Sequence, residues 1–478
     1  MGIMAGGCGY GRPQKGVALP RQPNFIVFLP DALRADHLPC YGYPVPTAPR
    51  ISAFAEANLC FEQCHAVATW TTPATASILT GTHPLLHRTV VTEWSEEGSR
   101  RANQYQVLPK SIPTTAQALE AAGYSTAFFQ ANPNASNERG LARGCTYYSI
   151  DVDARPGEHI DAVLNWLDTE AREPFYAYIH LIDPHEPYRA EPAIFDELTD
   201  STMAGQLGEL PPDEAAQLRH YHERDWNNLF LAGGRLGEET LRRFSPESIR
   251  YLSTLYDCEI REVDAAFGRL LERLRAKGWA DRTVTVITSD HGEAFGEDGQ
   301  FYHGNYIHDP QTHVPLILGI PGLSAGTRIP WTVSQLDIHM TLLHLAGIKA
   351  DTVTTGAPLC GREGQILATG HRPVITALDL QNSDTTRWQF GVALGSLRVR
   401  VAEDPSAITV HELSGQRPDR QLLLTQLGLT NNYAERAALK AYFFERKALT
   451  EAAREVERPT WATAPDYSED VFRAMGYL

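Results

Sequence analysis

A chain of 478 residues exceeds the ~250–300 residues that one hydrophobic core usually supports, so a large domain with a smaller companion is expected. With 58 acidic against 42 basic residues and a net charge of −16, a general nucleic-acid or anionic-membrane surface is excluded, and any bound anion must be held by local positive charge such as a metal ion. No apolar run reaches the ~18 residues of a membrane span, the seven cysteines have no disulfide-framework spacing, and the Gly- and Pro-rich stretch 1–23 lacks the apolar core of a secretory signal, so a cytoplasmic protein with a disordered tail is expected.

The first element, Asn24 to Pro30, is a continuous apolar run ending in Asp31, the pattern of a fully buried parallel strand. Cys60 and Cys64 lie four apart, a spacing that would share a helix face, and read as reduced core residues. Pro73 suits the first position of a helix, which places Thr71 and Thr72 just before an amino terminus whose free N–H groups attract anions. Ile160, Val163, Leu164 and Leu167 have helical spacing, and Phe175 to Asp183 is a second buried run ending in an acid. From Arg189 to Phe244 the chain turns polar and acidic without strand signals, as expected of an insertion or lid. A long helix is predicted to start at the Ser245-Pro246 cap, bury Ile249, Leu252, Tyr256, Val263, Phe267, Leu270 and Leu274, and stop at Gly278.

Thr283 to Thr288 is β-branched and leads into Ser289-Asp290-His291-Gly292-Glu293, while Val314 to Ile320 is a third apolar run. Asp290 offers oxygen and His291 nitrogen, a donor pair that suits zinc, manganese or another borderline divalent ion. By itself such a tripeptide is more often a plain turn, but Asp31, Asp183 and Asp290 all fall at predicted carboxyl ends, where parallel sheets bind ligands. Strands alternating with helices predict an α/β fold over 24–380, a large mostly parallel sheet flanked by helices. Beyond 381, Phe390 to Val401 and Thr409 to Leu413 alternate as antiparallel strands, and Ala434 to Val456 reads as a helix, giving a small C-terminal subdomain over 381–478.

Several segments together resemble the sulfatase family of the alkaline phosphatase superfamily. Asp31-Ala-Leu-Arg-Ala-Asp-His37 is similar to the family's amino-terminal metal motif. Thr71-Thr-Pro73-Ala-Thr75, followed by Leu79-Thr-Gly81, is similar to its Cys-x-Pro-x-Arg nucleophile signature. His180-Leu-Ile-Asp183-Pro-His185-Glu-Pro-Tyr188 matches the family's Asp-Pro-His-x-Pro-Tyr segment, and Asp290 to Glu293 its second metal motif; further likeness runs from Val333 to Ile348 and from Ala464 to Leu478. The resemblance implies an alkaline phosphatase-like fold and one divalent metal held by Asp31, Thr71, Asp290 and His291. It also implies Thr71 as nucleophile, with His185 and His303 as contacts to the reacting or leaving group. Read without the resemblance, Thr71 is a helix cap and His185 a structural histidine. Thr75, His87 and Asn132 are expected to line the substrate pocket, His87 and His83 reading equally well as turn residues. His308 and His313 are candidates for a second metal, but Pro187 stands where two-zinc relatives carry the histidine of an Asp-x-x-x-His pair.

The departures from the family are as informative. Thr71 stands where sulfatases carry the Cys or Ser that becomes formylglycine, and its methyl-bearing Cβ cannot form that aldehyde; phosphodiesterases and phosphoethanolamine transferases of the superfamily use an unmodified Thr. Thr75 replaces the signature Arg, Gln130-Ala-Asn132-Pro133 replaces a Lys-containing segment, and Ala32 replaces the second Asp of the metal pair. Fewer cations suit a singly charged ester better than a dianion, and fewer carboxylates favour manganese or zinc over calcium or magnesium. The expectation is a metal-dependent hydrolase of a small phosphate, phosphonate or sulfate-type ester through a covalent Thr71 intermediate, with no nucleic-acid or membrane partner and the oligomeric state left open. A phosphoryl- or sulfuryl-transferase is the alternative, and a non-catalytic ligand-binding member comes third.

Overall fold

The computed structural model describes residues 19–90, 92–93, 104–152, 154–199, 201–222, 236–323, 326–350, 354–382, 385–401, 407–412, 420–423, 452, 456 and 460–463. Most of the predicted tail, residues 223–235 of the insertion, nearly all of the predicted helix over 434–456 and the segment from Ala464 to Leu478 lie outside the described residues.

Eight strands make the central sheet: β1 (Asn24–Pro30), β2 (Leu59–His65), β3 (Ser125–Gln130), β4 (Tyr147–Ile150), β5 (Phe175–Leu181), β6 (Thr283–Thr288), β7 (His313–Gly319) and β8 (Thr327–Ser334). Their order is β8-β2-β7-β6-β1-β5-β3-β4. All are parallel except β7, which runs antiparallel to both β2 and β6. The apolar run at Val314–Ile320 therefore differs from the parallel strand it resembles in sequence. The chain leaving β6 stays at the carboxyl rim through residues 289–312 and has no helical crossover to carry it back, so the next strand must start from that rim.

Alternate residues of β1 go to opposite faces. Ile26 and Phe28 join a core with α1 (Pro49–Ala57), α4 (Pro156–Thr169) and α5 (Pro246–Ala276). Phe25, Val27 and Leu29 join a second core with α2 (Thr71–Thr80), α3 (Thr115–Ala121) and α6 (Leu336–Ala346). Burial on both faces explains why β1 and β5 read as unbroken apolar runs rather than as alternation. Cys60 and Cys64 lie on β2, not on a helix, and both are buried free thiols. The insertion is helical over Pro192–Thr199, Met203–Glu209 and Pro212–His222, and Phe195, Met203, Leu207 and Leu218 bury against the α5 side of the core.

The small antiparallel sheet runs β9 (Val374–Asn382), β10 (Thr385–Leu394), β11 (Leu397–Val401), β12 (Ala407–Glu412) and β13 (Arg420–Leu423), so its first strand begins ahead of residue 381. It is fastened to the main domain by Arg398 on Asp309 and Gln63, and by Ala377 N–H donating to Val67 O at 2.9 Å. No helix among the described residues is long and apolar enough to cross a membrane.

Helix α5 follows its sequence prediction closely. Ser245 caps it by accepting from Ser248 N–H, the expected apolar stripe is buried apart from half-buried Ile249, and Gly278 with φ +68° lies just past its end. Its Tyr256 hydroxyl donates to Ala32 O at 2.8 Å and accepts from Arg34 N–H at 2.9 Å, pinning the turn after β1. Tyr256→Phe strands both backbone groups in the interior, so denaturant unfolding should show a loss of about 1–3 kcal/mol. A change within about 0.5 kcal/mol, ordinary for a surface substitution, would contradict this role.

Candidate active site

Strands β6, β1 and β5 are neighbours, so the acids that follow β6 and β1 emerge side by side at one rim. Asp31 and Asp290 are both fully buried. The turn carrying Asp31 is fixed by three donors besides Tyr256: Asp31 N–H to Leu181 O (3.0 Å), Ala32 N–H to Asp290 Oδ1 (3.2 Å) and Leu33 N–H to Ser289 Oγ (2.8 Å). Ala32 adopts φ +58°, a left-handed conformation unusual outside glycine, and these bonds hold it there. Gly292 makes the other turn possible: a Cβ at that position would lie 2.1 Å from Pro310 O, while its own N–H donates to Gln311 O at 3.0 Å. The Gln335 amide donates to the carbonyls of Ser289 and Asp290 and accepts from Val67 N–H, tying the second turn and the chain after β2 to the start of α6.

These turns leave a compact set of donors. His291 Nδ1 donates to Gly292 O at 2.9 Å, which makes Nε2 the lone-pair nitrogen. Within reach of Nε2 are Asp31 Oδ1 at 3.4 Å, Asp290 Oδ2 at 3.5 Å and Thr71 Oγ1 at 3.4 Å. Asp31 Oδ1 and Asp290 Oδ2 are buried without a hydrogen-bond partner. Two ligands each about 2.1 Å from a tetrahedral ion stand roughly 3.4 Å apart, so this donor set fits a divalent metal of the zinc or manganese type. Burial drives the Asp31 carboxyl up, but the His180 hydrogen bond and the imidazoles of His185 and His291 outweigh it and hold its pKa at about 2. Burial and the Asp31 charge push Asp290 the other way, upward. A cation between the two would relieve both strains.

Thr71 reaches this cluster from α2. The helix begins at Thr71 itself, with Trp70 as its cap residue and Pro73 still inside the first turn, so the nucleophile candidate is the first helical residue rather than the residue before it. Every residue of α2 is buried. Asn132 donates from Nδ2 to Thr71 Oγ1 at 3.1 Å and to Asp31 Oδ2 at 2.6 Å, while its Oδ1 accepts from Asn134 N–H. Those amide protons are directed at Thr71 Oγ1 and Asp31 Oδ2 rather than at open pocket. Thr75 lies one turn further, buried beside the Tyr178 phenol, with no normal hydrogen bond to its hydroxyl.

His185 and His303 stand beside the cluster. The His303 ring lies 4.3 Å from that of His291 and 4.7 Å from that of His185, centroid to centroid. His303 Nδ1 donates to the Glu293 carboxylate at 3.2 Å, and His185 Nδ1 donates to Glu186 O at 2.5 Å. Glu186 Oε2 lies 3.5 Å from His185 Nδ1 and 3.7 Å from His303 Nδ1. This second group has the residue types of a metal site, but its Nδ1 protons are accounted for by these bonds, which describes a pair of oriented imidazoles. Burial works against a charged His185 ring, yet Glu186, Asp31 and Asp290 outweigh it and raise the His185 pKa.

The remaining candidates sit elsewhere. His87 is buried, with Nε2 on Ser77 Oγ at 3.0 Å and Nδ1 accepting from Thr89 N–H at 3.0 Å, and burial lowers its pKa to about 3. Both ring nitrogens thus serve the fold beneath α2 rather than a substrate. His83 is likewise held, by Ile375 O and Leu85 N–H. His313 bonds Glu62 O and stacks on His65, and His308 lies by Asp298. Asp183 is turned toward Arg189 and stays outside the cluster. Sequence reading passed over His180, Ser289, Glu293 and Gln335 as site builders. His180 and Glu293 were visible inside the quoted motifs, but only the parallel register that sets His180 beside Leu29 gives the former its target.

The chain is similar in sequence and in fold to known proteins. The family model described as Sulfatase matches residues 23–348. Human arylsulfatase K is 27% identical over 232 residues, 47% of this chain and 42% of its own length. Choline-sulfatase of Rhizobium meliloti is 25% identical over 380 residues, 70% of this chain and 69% of its own. The chain spans about half or less of the length of the arylsulfatase K proteins that it matches. Among solved structures, the phosphonate monoester hydrolase of Agrobacterium radiobacter superposes with a TM-score of 0.62 at 18% identity, over 90% of this chain and 96% of that one. A 2-O glycosaminoglycan sulfatase gives 0.62 at 19% identity, over 90% and 91%.

Because the tight turn at Gly292 aims both Asp290 and His291, Gly292→Ala should weaken manganese(II) or zinc(II) binding, followed by titration against a chelating indicator, by about 10-fold or more. Unchanged affinity would contradict the assignment of the cage to this turn.

Proposed function

The chain belongs to the sulfatase family, and from that membership and its site geometry we propose that it is a metal-dependent hydrolase that cleaves a small phosphate, phosphonate or sulfate-type ester through a covalent adduct on Thr71. The observation that carries the reading is the position of Thr71 Oγ1, 3.4 Å from His291 Nε2 and 3.1 Å from Asn132 Nδ2, at the amino end of α2. A divalent ion held by Asp31, Asp290 and His291 would withdraw charge from the Thr71 oxygen and from an ester oxygen beside it. Asn132 donates to Thr71 Oγ1, orienting the oxygen and stabilising charge as its proton leaves. The helix amino terminus adds a favourable field for the anionic ester.

Thr71 gives its hydroxyl proton to solvent, and its Oγ1 attacks phosphorus or sulfur, forming one ester bond and breaking the bond to the alcohol or phenol oxygen. His185 or His303 returns a proton to that oxygen through Nε2, the ring edge opposite the Glu-anchored Nδ1. The Glu186 carboxylate beside its ring, the largest of the charges that raise the His185 pKa, favours His185 as the protonated partner. The same imidazole then takes a proton from water, which attacks phosphorus or sulfur and breaks its bond to Thr71 Oγ1, and that oxygen recovers a proton from solvent. Threonine has no aldehyde route for releasing the group, so the second displacement is required.

Substrate charge follows from what is missing around Thr71. Thr75 and Ala131 stand where the family resemblance expects Arg and Lys, so less positive charge faces the ester than in a sulfatase of the usual signature. A phosphonate monoester or phosphodiester, with one negative charge, is the class that the site suits best. The phosphonate monoester hydrolase fold match is in keeping with this class.

The test offers p-nitrophenyl phosphate, a phosphonate monoester, a phosphodiester and an aryl sulfate to the metal-loaded enzyme and to Thr71→Ala. Turnover should favour the singly charged phosphorus esters, and Thr71→Ala should lower kcat about 10³-fold or more while still binding metal. Full turnover by Thr71→Ala would remove the nucleophile, and preference for the dianionic monoester would remove the charge argument.

A further inference from the structure

We propose that His180 and Asn132 form a two-donor clamp on a single oxygen of Asp31, which presents the other oxygen to the metal and thereby sets the affinity of the site. The inference rests on the metal site proposed above and adds to it a residue, His180, with no role there.

The parallel register of β1 and β5 sets His180 beside Leu29, two residues before Asp31, and the imidazole is fully buried. His180 Nε2 lies 3.0 Å from Asp31 Oδ2 and 3.8 Å from Asp290 Oδ2. Its Nδ1 has no hydrogen-bond partner. A proton on Nδ1 would be a stranded donor and would turn the Nε2 lone pair against a carboxylate. The proton therefore belongs on Nε2, where it makes a charge-assisted bond to Asp31. That assignment makes His180 a donor to a ligand rather than a ligand itself.

Asn132 supplies the second donor to the same atom. Its amide is oriented by Asn134 N–H on Oδ1, so Nδ2 must face Asp31 Oδ2, at 2.6 Å. Both donors thus fall on Oδ2 and neither on Oδ1, which is the oxygen near His291 Nε2. A carboxylate gripped in this way cannot swing to chelate through both oxygens. It also cannot turn away from Asp290 in the metal-free protein, because the His180 N–H lies near both carboxylates and offsets their repulsion. The clamp matters more here than in a site with an extra acid, since position 32 is alanine and one carboxylate fewer holds the ion.

Manganese(II) alone is the probe. Free Mn²⁺ is followed by electron paramagnetic resonance during titration of wild type, His180→Ala, His180→Gln and Asn132→Ala, and the nitrogens on bound Mn²⁺ are counted by spin-echo modulation. The clamp predicts a single imidazole nitrogen in wild type and a roughly 10–100-fold loss of affinity in His180→Ala. His180→Gln, which keeps an N–H donor, should recover most of that loss with the nitrogen count unchanged. Two imidazole nitrogens in wild type, wild-type affinity in His180→Ala, or equal weakness of the Gln and Ala variants would each overturn it. The wild-type nitrogen count holds even if the Ala variant does not fold. Failure of wild type to bind Mn²⁺ at all would sink the metal site beneath it, whereas loss of the Gln rescue alone sinks only the clamp.

Discussion

Two carboxylates held out of water within reach of one imidazole are the constraint around which this structure is arranged. Taking each charge into the interior costs several kcal/mol after relaxation, and Asp31 and Asp290 also repel one another. Such a pair persists in a fold only if something else fixes it and something positive joins it. The fixing is done by backbone and side-chain bonds from Ser289, Gln335 and Tyr256, and by the left-handed turn at Ala32. The positive partner that the orphaned oxygens call for is a divalent ion.

The larger architecture follows from the same requirement. Placing β1 between β5 and β6 brings three strand ends to one rim, and the two cores that bury both faces of the sheet make that rim rigid. Helix α2, buried on every side, then delivers Thr71 Oγ1 at a fixed distance from His291. The antiparallel turn into β7 leaves residues 289–312 at the rim, so that segment carries the proposed ligands Asp290 and His291 together with the adjacent His303. In the proposed mechanism one stretch of chain thus supplies metal donors and a proton donor together.

Much of this was legible in the sequence because the relevant signals are local. Buried strands ending in acids marked Asp31 and Asp290, and the cap at Ser245 with Gly278 marked α5 almost to its ends. The α/β class followed from alternation, and the donor types at Asp290 and His291 pointed to a borderline metal before any geometry was known. What stayed hidden depends on distance. The direction of β7 is a matter of connection, not of composition; position along the chain assigns Asn132 and His87 to one pocket, yet the first faces Thr71 and the second lies bonded beneath α2. His180 is an apolar-run histidine like any other until the β1–β5 register sets it against Asp31.

Thr71 is where the account differs most from a sulfatase of the usual kind, because it forces release of the bound group by a second displacement. Mass analysis of the peptide containing Thr71, taken from enzyme acid-quenched within milliseconds of mixing with a phosphonate monoester, addresses this most directly. The account predicts a mass increase equal to the phosphonyl group on Thr71, absent from controls quenched without substrate and lost as turnover completes. Product formed in a burst-free reaction with Thr71 unmodified at every quench time would contradict it.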